Sequence, residues 1–428
     1  MRFRGQPVSY AWVVAAVTFV TLLASAGFRS TPGVLIVPLE QEFGWNRATI
    51  GVAVSVNMLL FGFVGPFAAT LMARFGLRRV VAGALVTISG GALLTTQIRE
   101  PWQLVLLWGV VVGLGAGCMA TILAATVANR WFVARRGVVV GVLTAAGATG
   151  QLIFLPGLAW LAVTFGWRFV SVATALAALA VVPLVLRYVR DWPADVGEVP
   201  YGATKQDPPA APAGNPIANA LAGLQFAVGQ RDFWLLAIPF MICGLSTNGL
   251  IGTHLIPAGI DHGMAEVTAA GLLATIGIFD VVGTTLSGWL TDRWDSRKLL
   301  FAYYGLRGLS LMLLPLVLSA ANASMIVFIV FYGLDWIATV PPTVALATQR
   351  FGREQGTIIY GWVFASHQVG AAVAATGAGV IRTVTGDYFL AFVTAGLLCL
   401  VAGALSLGIG RSMPAPATPL LPGAPLVR

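Results

Sequence analysis

Charge is scarce in this chain. Of its 428 residues only 10% are Asp, Glu, Lys or Arg, and just 16 are acidic. A soluble domain carries about a quarter charged residues, so water is excluded as the solvent for most of this sequence. Histidine and cysteine are scarcer still, with 3 of each. Cys118, Cys243 and Cys399 stand apart within apolar stretches, which excludes a disulfide framework and zinc spacing. The histidines form no H-E-x-x-H pattern and no nucleotide-binding loop is present, which argues against a membrane-embedded enzyme. No cofactor and no metal is expected.

What is present is apolar. Hydrophobic residues make up 58% of the chain and the mean hydropathy is +0.86. A membrane-spanning helix needs roughly 20 apolar residues. The pattern predicts twelve spans, near 10–37, 48–73, 80–98, 102–128, 137–164, 167–190, 233–260, 266–291, 298–319, 324–348, 357–382 and 386–410. The expected fold is an all-α membrane protein of two six-helix bundles, 1–190 and 232–410. A cytoplasmic linker, 191–231, joins them, and a cytoplasmic tail occupies 411–428. The first apolar stretch is too long for a signal peptide and reads as a retained helix.

The net charge of +9 is distributed by side rather than by patch. With twelve spans, one face collects 19 basic residues, whereas the opposite loops hold Arg47, Arg99, Arg168 and Arg382. That bias reads as a topology signal with both termini cytoplasmic, not as a nucleic-acid surface. The linker contains a Pro- and Ala-rich run from Asp207 to Pro216, expected to be flexible, followed by a candidate interfacial helix from Ile217 to Val228. Intramembrane glycines such as Gly109, Gly113, Gly117, Gly370 and Gly377 are expected chiefly to let helices approach closely.

The basic loops repeat. Arg74, Gly76, Arg78 and Arg79 lie between two apolar segments, and Arg293, Asp295, Arg297 and Lys298 recur about 219 positions later. Arg130 and Gly137 recur as Arg350 and Gly356. A loop repeated at matching places in two hydrophobic halves indicates a duplicated six-helix unit, an architecture of transporters.

Residues 69–79, A-T-L-M-A-R-F-G-L-R-R, resemble the loop signature of the major facilitator superfamily, and 288–298, G-W-L-T-D-R-W-D-S-R-K, resemble it more fully. The first copy has Ala69 and Ala73 where the signature has glycine and aspartate. The resemblance implies a cytoplasmic charge latch made by Asp292, Arg293 and Arg297, with Arg74, Arg78 and Arg79 as its first-half counterpart. The stretch N-R-W-F-V-A-R-R-G at 129–137 is similar to the monocarboxylate porter and oxalate/formate antiporter group. So is the first-span pattern G-F-R-S-T-P at 27–32, continuing to Phe43-Gly44-Trp45. Two departures stand out. Animal monocarboxylate porters have a lysine where this chain has Gly33, and an arginine four residues after the eighth-span aspartate where this chain has Thr284.

Ionisable groups at the bilayer centre cost about 3 kcal/mol or more, so each needs a partner or a purpose. Asp280, Arg307 and Asp335 lie at matching distances from the cytoplasmic ends of their spans, which predicts one polar layer. In it Arg307 neutralises one acid permanently while the other exchanges a proton, and the expected pair that senses or carries the proton is Asp280 with Arg307. Arg29 has no acid at membrane depth in its own half, and its expected partner is the carboxylate of a substrate. His367 and Gln368 are candidates for substrate binding or proton relay, competing with a packing role. Asn57, Gln151, Asn248 and Tyr332 are candidate neutral hydrogen-bonding partners of a substrate, competing with ordinary inter-helix bonds.

These readings converge on a secondary active transporter of small organic anions, in first place a proton-coupled monocarboxylate symporter, residing as a monomer in the plasma (inner) membrane. An organic-anion exchanger, or an exporter of larger hydrophobic compounds, is the alternative. A transporter-like sensor would bring a soluble domain, and none is expected.

Overall fold

The computed structural model describes residues 2–3, 6–7, 9–119, 121–203, 216–320 and 323–410. Helix dominates because lipid offers no partner to free backbone groups, and a helix satisfies its own. Eleven helices among the described residues are long and apolar enough to cross a membrane, and the 30-residue helix Arg136–Phe165 completes the expected twelve. In order, the first six spans are Tyr10–Phe43, Arg47–Phe75, Leu77–Thr95, Pro101–Trp131, Arg136–Phe165 and Trp167–Tyr188. The last six are Arg231–Asp261, Glu266–Thr291, Ser296–Ala320, Met325–Phe351, Arg353–Thr385 and Phe389–Leu407. A two-residue antiparallel pairing of Arg2–Phe3 with Gln6–Pro7 precedes them.

Capping chemistry, not hydropathy, sets the ends, so several helices outrun their apolar stretches. The first continues to Phe43, where Gly44 at φ 67° adopts the left-handed conformation that stops it. Asn46 then opens the second span by accepting the Thr49 amide at 2.8 Å.

Among the described residues, three spans are interrupted. The fourth carries a π-helical segment, Val105–Val112, and a turn at Met119. The seventh carries another π segment, Leu245–Ile251. The tenth stops at Asp335 and resumes at Val340.

The chain divides into two compact units that do not coincide with its sequence halves. One unit holds Met1–Ala211 with Gly252–Ile278 and Ala375–Asp387. In it the first span packs on the fifth, the second on the fourth and the third on the sixth. Between lipid-soluble helices the hydrophobic effect gives no net drive, so close packing must hold them. A Cβ on Gly113 would lie 3.1 Å from the Asn57 Cα, and one on Gly117 would lie 2.6 Å from the Val64 Cβ. The other unit holds Pro212–Ile251, Phe279–Ala374 and Tyr388–Arg428. There the ninth span packs on the twelfth, repeating the third-on-sixth pairing. The seventh and eleventh cross backbone to backbone: a Cβ on Gly370 would lie 1.8 Å from the Met241 carbonyl oxygen. Gly377, by contrast, faces open space.

The linker's ends are structured. Glu198 accepts the Ser9 hydroxyl and the Tyr10 amide on Oε2, both at 2.9 Å, and so caps the first span. The Tyr201 amide donates to the Trp131 carbonyl at 2.8 Å, and the Tyr201 ring meets Trp12 edge-on at 5.5 Å. Residues Pro216–Val228 form the expected short helix, held to the eleventh span where Trp362 Nε1 donates to the Ala220 carbonyl at 2.9 Å. The Pro- and Ala-rich run up to 215 and the tail after 410 lie outside the described residues.

Candidate functional site

The break in the tenth span follows from its sequence. Pro341 and Pro342 have no N–H, so the carbonyls a turn earlier lose their intrahelical donors, while proline suits the first turn of the resumed helix. Within a membrane the carbonyls freed by the prolines (Ile337 and Ala338) and by the break itself (Asp335 and Trp336) need other partners. The Val340 amide takes the Ile337 carbonyl at 2.9 Å, and side chains of neighbouring spans take the others. Ser287 Oγ, from the eighth span, donates to the Ala338 carbonyl at 2.5 Å. Arg307, from the ninth, donates through Nη2 to the carbonyls of Asp335 and Trp336. Gly283 lets the eighth span come close: a Cβ there would lie 1.8 Å from the Leu334 carbonyl oxygen.

The expected acidic and basic residues occupy this break. Arg307 is fully buried and donates through Nε to Asp335 Oδ2 at 2.6 Å and through Nη1 to Cys243 Sγ at 2.9 Å. Asp280 is 3% exposed. Its Oδ1 accepts the Thr284 hydroxyl at 2.8 Å and the Ile337 amide at 2.9 Å. The three residues expected at one depth therefore do meet, but the pairing differs from the one expected. Arg307 makes its ion pair with Asp335, and Asp280 reaches the same layer through the backbone of the break. The reason is the break itself, which turns the Asp335 carboxylate and carbonyl together towards the guanidinium.

The seventh span closes the layer. Cys243 Sγ lies 3.3 Å from Thr339 Oγ1, and Tyr332 OH donates at 2.8 Å to the Ser246 carbonyl within the π segment. Asn248, on the same segment, is half-buried. On the eleventh span His367 and Gln368 are both buried. The His367 ring stacks parallel to Phe364 at 5.8 Å and lies 4.9 Å from Phe240. Of the candidates in this unit, Tyr332 has its hydroxyl committed to a helix carbonyl, whereas Asp280, Arg307 and Asp335 form one connected cluster.

A family model described as Major Facilitator Superfamily matches residues 17–375. The chain belongs to the major facilitator superfamily. It is therefore a multi-pass membrane transporter and not an enzyme. The Bacillus subtilis protein "Uncharacterized MFS-type transporter YcxA" is 26% identical over 89% of this chain and 90% of its own. Mouse monocarboxylate transporter 11 is 26% identical over 95% of this chain and 88% of its own. These matches agree with the resemblance to monocarboxylate porters read from residues 27–32 and 129–137. Among solved structures, a D-xylose–proton symporter shares the fold with a TM-score of 0.71 at 14% identity, over 94% of this chain and 99% of that one.

The superfamily's loop signature occurs in both units with different partners. In the first, the acid missing at position 73 has a stand-in from the end of the sixth span. Asp191 Oδ1 accepts the Arg78 amide at 3.0 Å, and Gly76, at φ 88°, leaves no room for a Cβ beside that carboxylate. Arg130 stacks over Trp192 at 4.5 Å and donates to the Met72 carbonyl at 3.3 Å. Arg74 and Arg79 are exposed. In the second, Arg297 bonds Asp295 on its own loop and the Ile409 carbonyl, Arg293 stacks over Trp289 at 4.2 Å, and Asp292 is exposed. Arg350, the repeat of Arg130, donates to Asp232 at 2.6 Å.

In the first unit the Asn57 amide donates to the Trp108 carbonyl at 2.8 Å, inside the π segment of the fourth span. Arg29 and Gln151 lie on the first and fifth spans, and their side chains fall outside the described residues. Sequence reading passed over Cys243, Ser287 and Thr339; the Pro341–Pro342 pair inside an apolar span was the signal that could have found them. It also passed over an ion cluster at the end of the first unit remote from the basic loops. Asp261 receives Arg47 at 2.7 and 2.8 Å and Arg382 at 2.8 Å, and Arg47 also meets Glu40 at 2.9 Å.

Proposed function

We propose that this transporter carries small organic anions, foremost monocarboxylates in symport with protons, by alternating access. The observation that supports this reading is the imbalance in the buried layer, where two carboxylates share one guanidinium. Arg307 is bound to Asp335, so Asp280 has a hydroxyl and an amide as its hydrogen-bond donors. A carboxylate at membrane depth costs about 3 kcal/mol when left charged, and a proton removes that charge. Asp280 is thus the group assigned to exchange the coupled proton, with Arg307 and Asp335 as its fixed companions.

Arg29 is assigned to the substrate carboxylate, since a guanidinium matches two oxygens with two N–H groups and Pro32, inside the same helix, removes a backbone donor nearby. His367, Gln368, Asn248 and Gln151 are assigned to ordering the substrate. The relatives named as monocarboxylate transporters support this substrate class. In alternating access each end must open in turn. The Arg47–Asp261–Arg382 cluster ties the ends of the second, seventh and eleventh spans, and opening that end breaks it. Arg74, Arg78, Arg79, Asp292, Arg293 and Arg297 serve the other end. The excess of basic residues on that side supports a cytoplasmic orientation for it, with both termini there and a bacterial-type plasma membrane as the setting.

Uptake of labelled lactate, pyruvate and formate into proteoliposomes tests the proposal. Uptake is expected to rise with an inward proton gradient and to lose that dependence in Asp280→Asn. Gradient-independent uptake requiring an internal anion would replace symport by exchange. An Arg29→Ala transporter with undiminished saturable uptake would remove that residue's role.

A further inference from the structure

We infer that Asp280 is the cap that holds the broken tenth span in shape, so that its protonation loosens the break at Ile337–Thr339. This rests on the assignment of the coupled proton to Asp280 and adds the means by which the proton moves the helix. The geometry is local and complete. At the break the Ile337 amide finds its acceptor on another span, and the acceptor is Asp280 Oδ1 at 2.9 Å. The same oxygen takes the Thr284 hydroxyl at 2.8 Å, which orients the carboxylate from its own helix. The remaining partners of the break, Ser287 on the Ala338 carbonyl and Arg307 on the carbonyls of Asp335 and Trp336, are donors that keep their protons at any ordinary pH. Of the bonds named at the break, the one to Ile337 is thus the one whose strength depends on the charge of Asp280.

A hydrogen bond to a charged acceptor is about twice as strong as its neutral counterpart. Protonation therefore weakens the cap without abolishing it, because the acid's carbonyl oxygen still accepts. Gly283 makes the effect consequential. With no Cβ between the eighth span and the Leu334 carbonyl, the two backbones are in contact at the break, and a shift of one is felt by the other. Titratable and charged groups facing this layer are Arg307, Tyr303 and Tyr304 from the ninth span, Asp335 and Tyr332 from the tenth, Cys243 from the seventh and Cys399 from the twelfth. None of these donates to Asp280 among the described residues. Asp280 is accordingly a positioning residue for the tenth span as well as a proton carrier.

Amide hydrogen exchange of the full-length transporter in nanodiscs tests this in peptides covering 333–342, with rates referred to the intrinsic rate at each pH. In the wild type, protection of this segment is expected to fall about tenfold between alkaline and acidic pH, the loss of a charge-assisted bond. Asp280→Asn keeps a carbonyl acceptor for both donors but cannot be charged, so it should show the acidic value at both pH values. Asp280→Ala should fall further and lose its pH dependence. Ser287→Ala should lower protection while keeping the pH dependence, which serves if Asp280→Ala does not fold. Equal protection in the wild type at both pH values, or Asp280→Asn protection matching the alkaline wild type, overturns the cap. Proteoliposome uptake by the same variants separates the two ideas. Gradient-dependent uptake surviving in Asp280→Asn removes the coupling assignment, whereas its loss with unchanged protection removes the cap alone.

Discussion

The fourth and tenth spans hold equivalent places in the two repeats, and both are interrupted, but they are repaired with different chemistry. The fourth changes to a π segment over Val105–Val112 and turns at Met119. Its neighbours there are glycines and aliphatic side chains, and the Asn57 amide bonds its Trp108 carbonyl. The tenth breaks at a proline pair, and its free groups are met by an arginine, an aspartate and a serine. Neutral repair holds a helix in one shape at any pH. Ionisable repair ties the shape to a charge. The two repeats hold two copies of one device, and in this chain the second is the one repaired by ionisable groups.

Arg307→Ala should break this contrast most severely. It leaves the buried Asp335 carboxylate and two carbonyls without their donor, and removal of one member of a buried ion pair costs about 3–5 kcal/mol. Thermal stability of the detergent-solubilised protein should collapse, and Arg307→Lys should recover only part of it, because one ammonium cannot reach sulfur, carboxylate and carbonyls together. Next comes Gly283→Ala, whose methyl must push the eighth span off the Leu334 carbonyl at a cost of about 1–3 kcal/mol. Its gradient-driven uptake should drop more than its melting temperature, since the contact it separates is the one that links the acid to the break. The smallest effect sharpens the comparison from the other side. Asn57→Ala removes one neutral inter-helix bond, so stability should fall by about 1 kcal/mol while the gradient dependence of uptake stays as in the wild type. A change in that dependence would mean that the fourth span is coupled as well.

Much of this was legible in the sequence. Apolar runs and the repeated basic loop specify twelve spans in two similar sets, because lipid permits little besides helix. Depth counting put Asp280, Arg307 and Asp335 in one layer, since rise per residue is fixed. Which acid would pair with Arg307 was not legible, because that depends on how the helix breaks around Pro341 and Pro342. Asp191 standing in for the missing acid at position 73 was equally hidden: it lies more than a hundred residues away, and only packing of the sixth span's end beside Gly76 brings it there. The Arg47–Asp261–Arg382 cluster joins helix ends whose charges, read along the chain, look like ordinary loop residues.

The proline pair also bears on how the protein is made. A tenth span entering the bilayer alone would carry a buried acid, carbonyls and the Ile337 amide, none of which it can satisfy. The groups that satisfy them, Asp280, Ser287 and Arg307, belong to the eighth and ninth spans. Both leave the ribosome first. The nascent tenth helix therefore meets its partners already in the membrane, and its insertion is templated by the pair of helices made just before it.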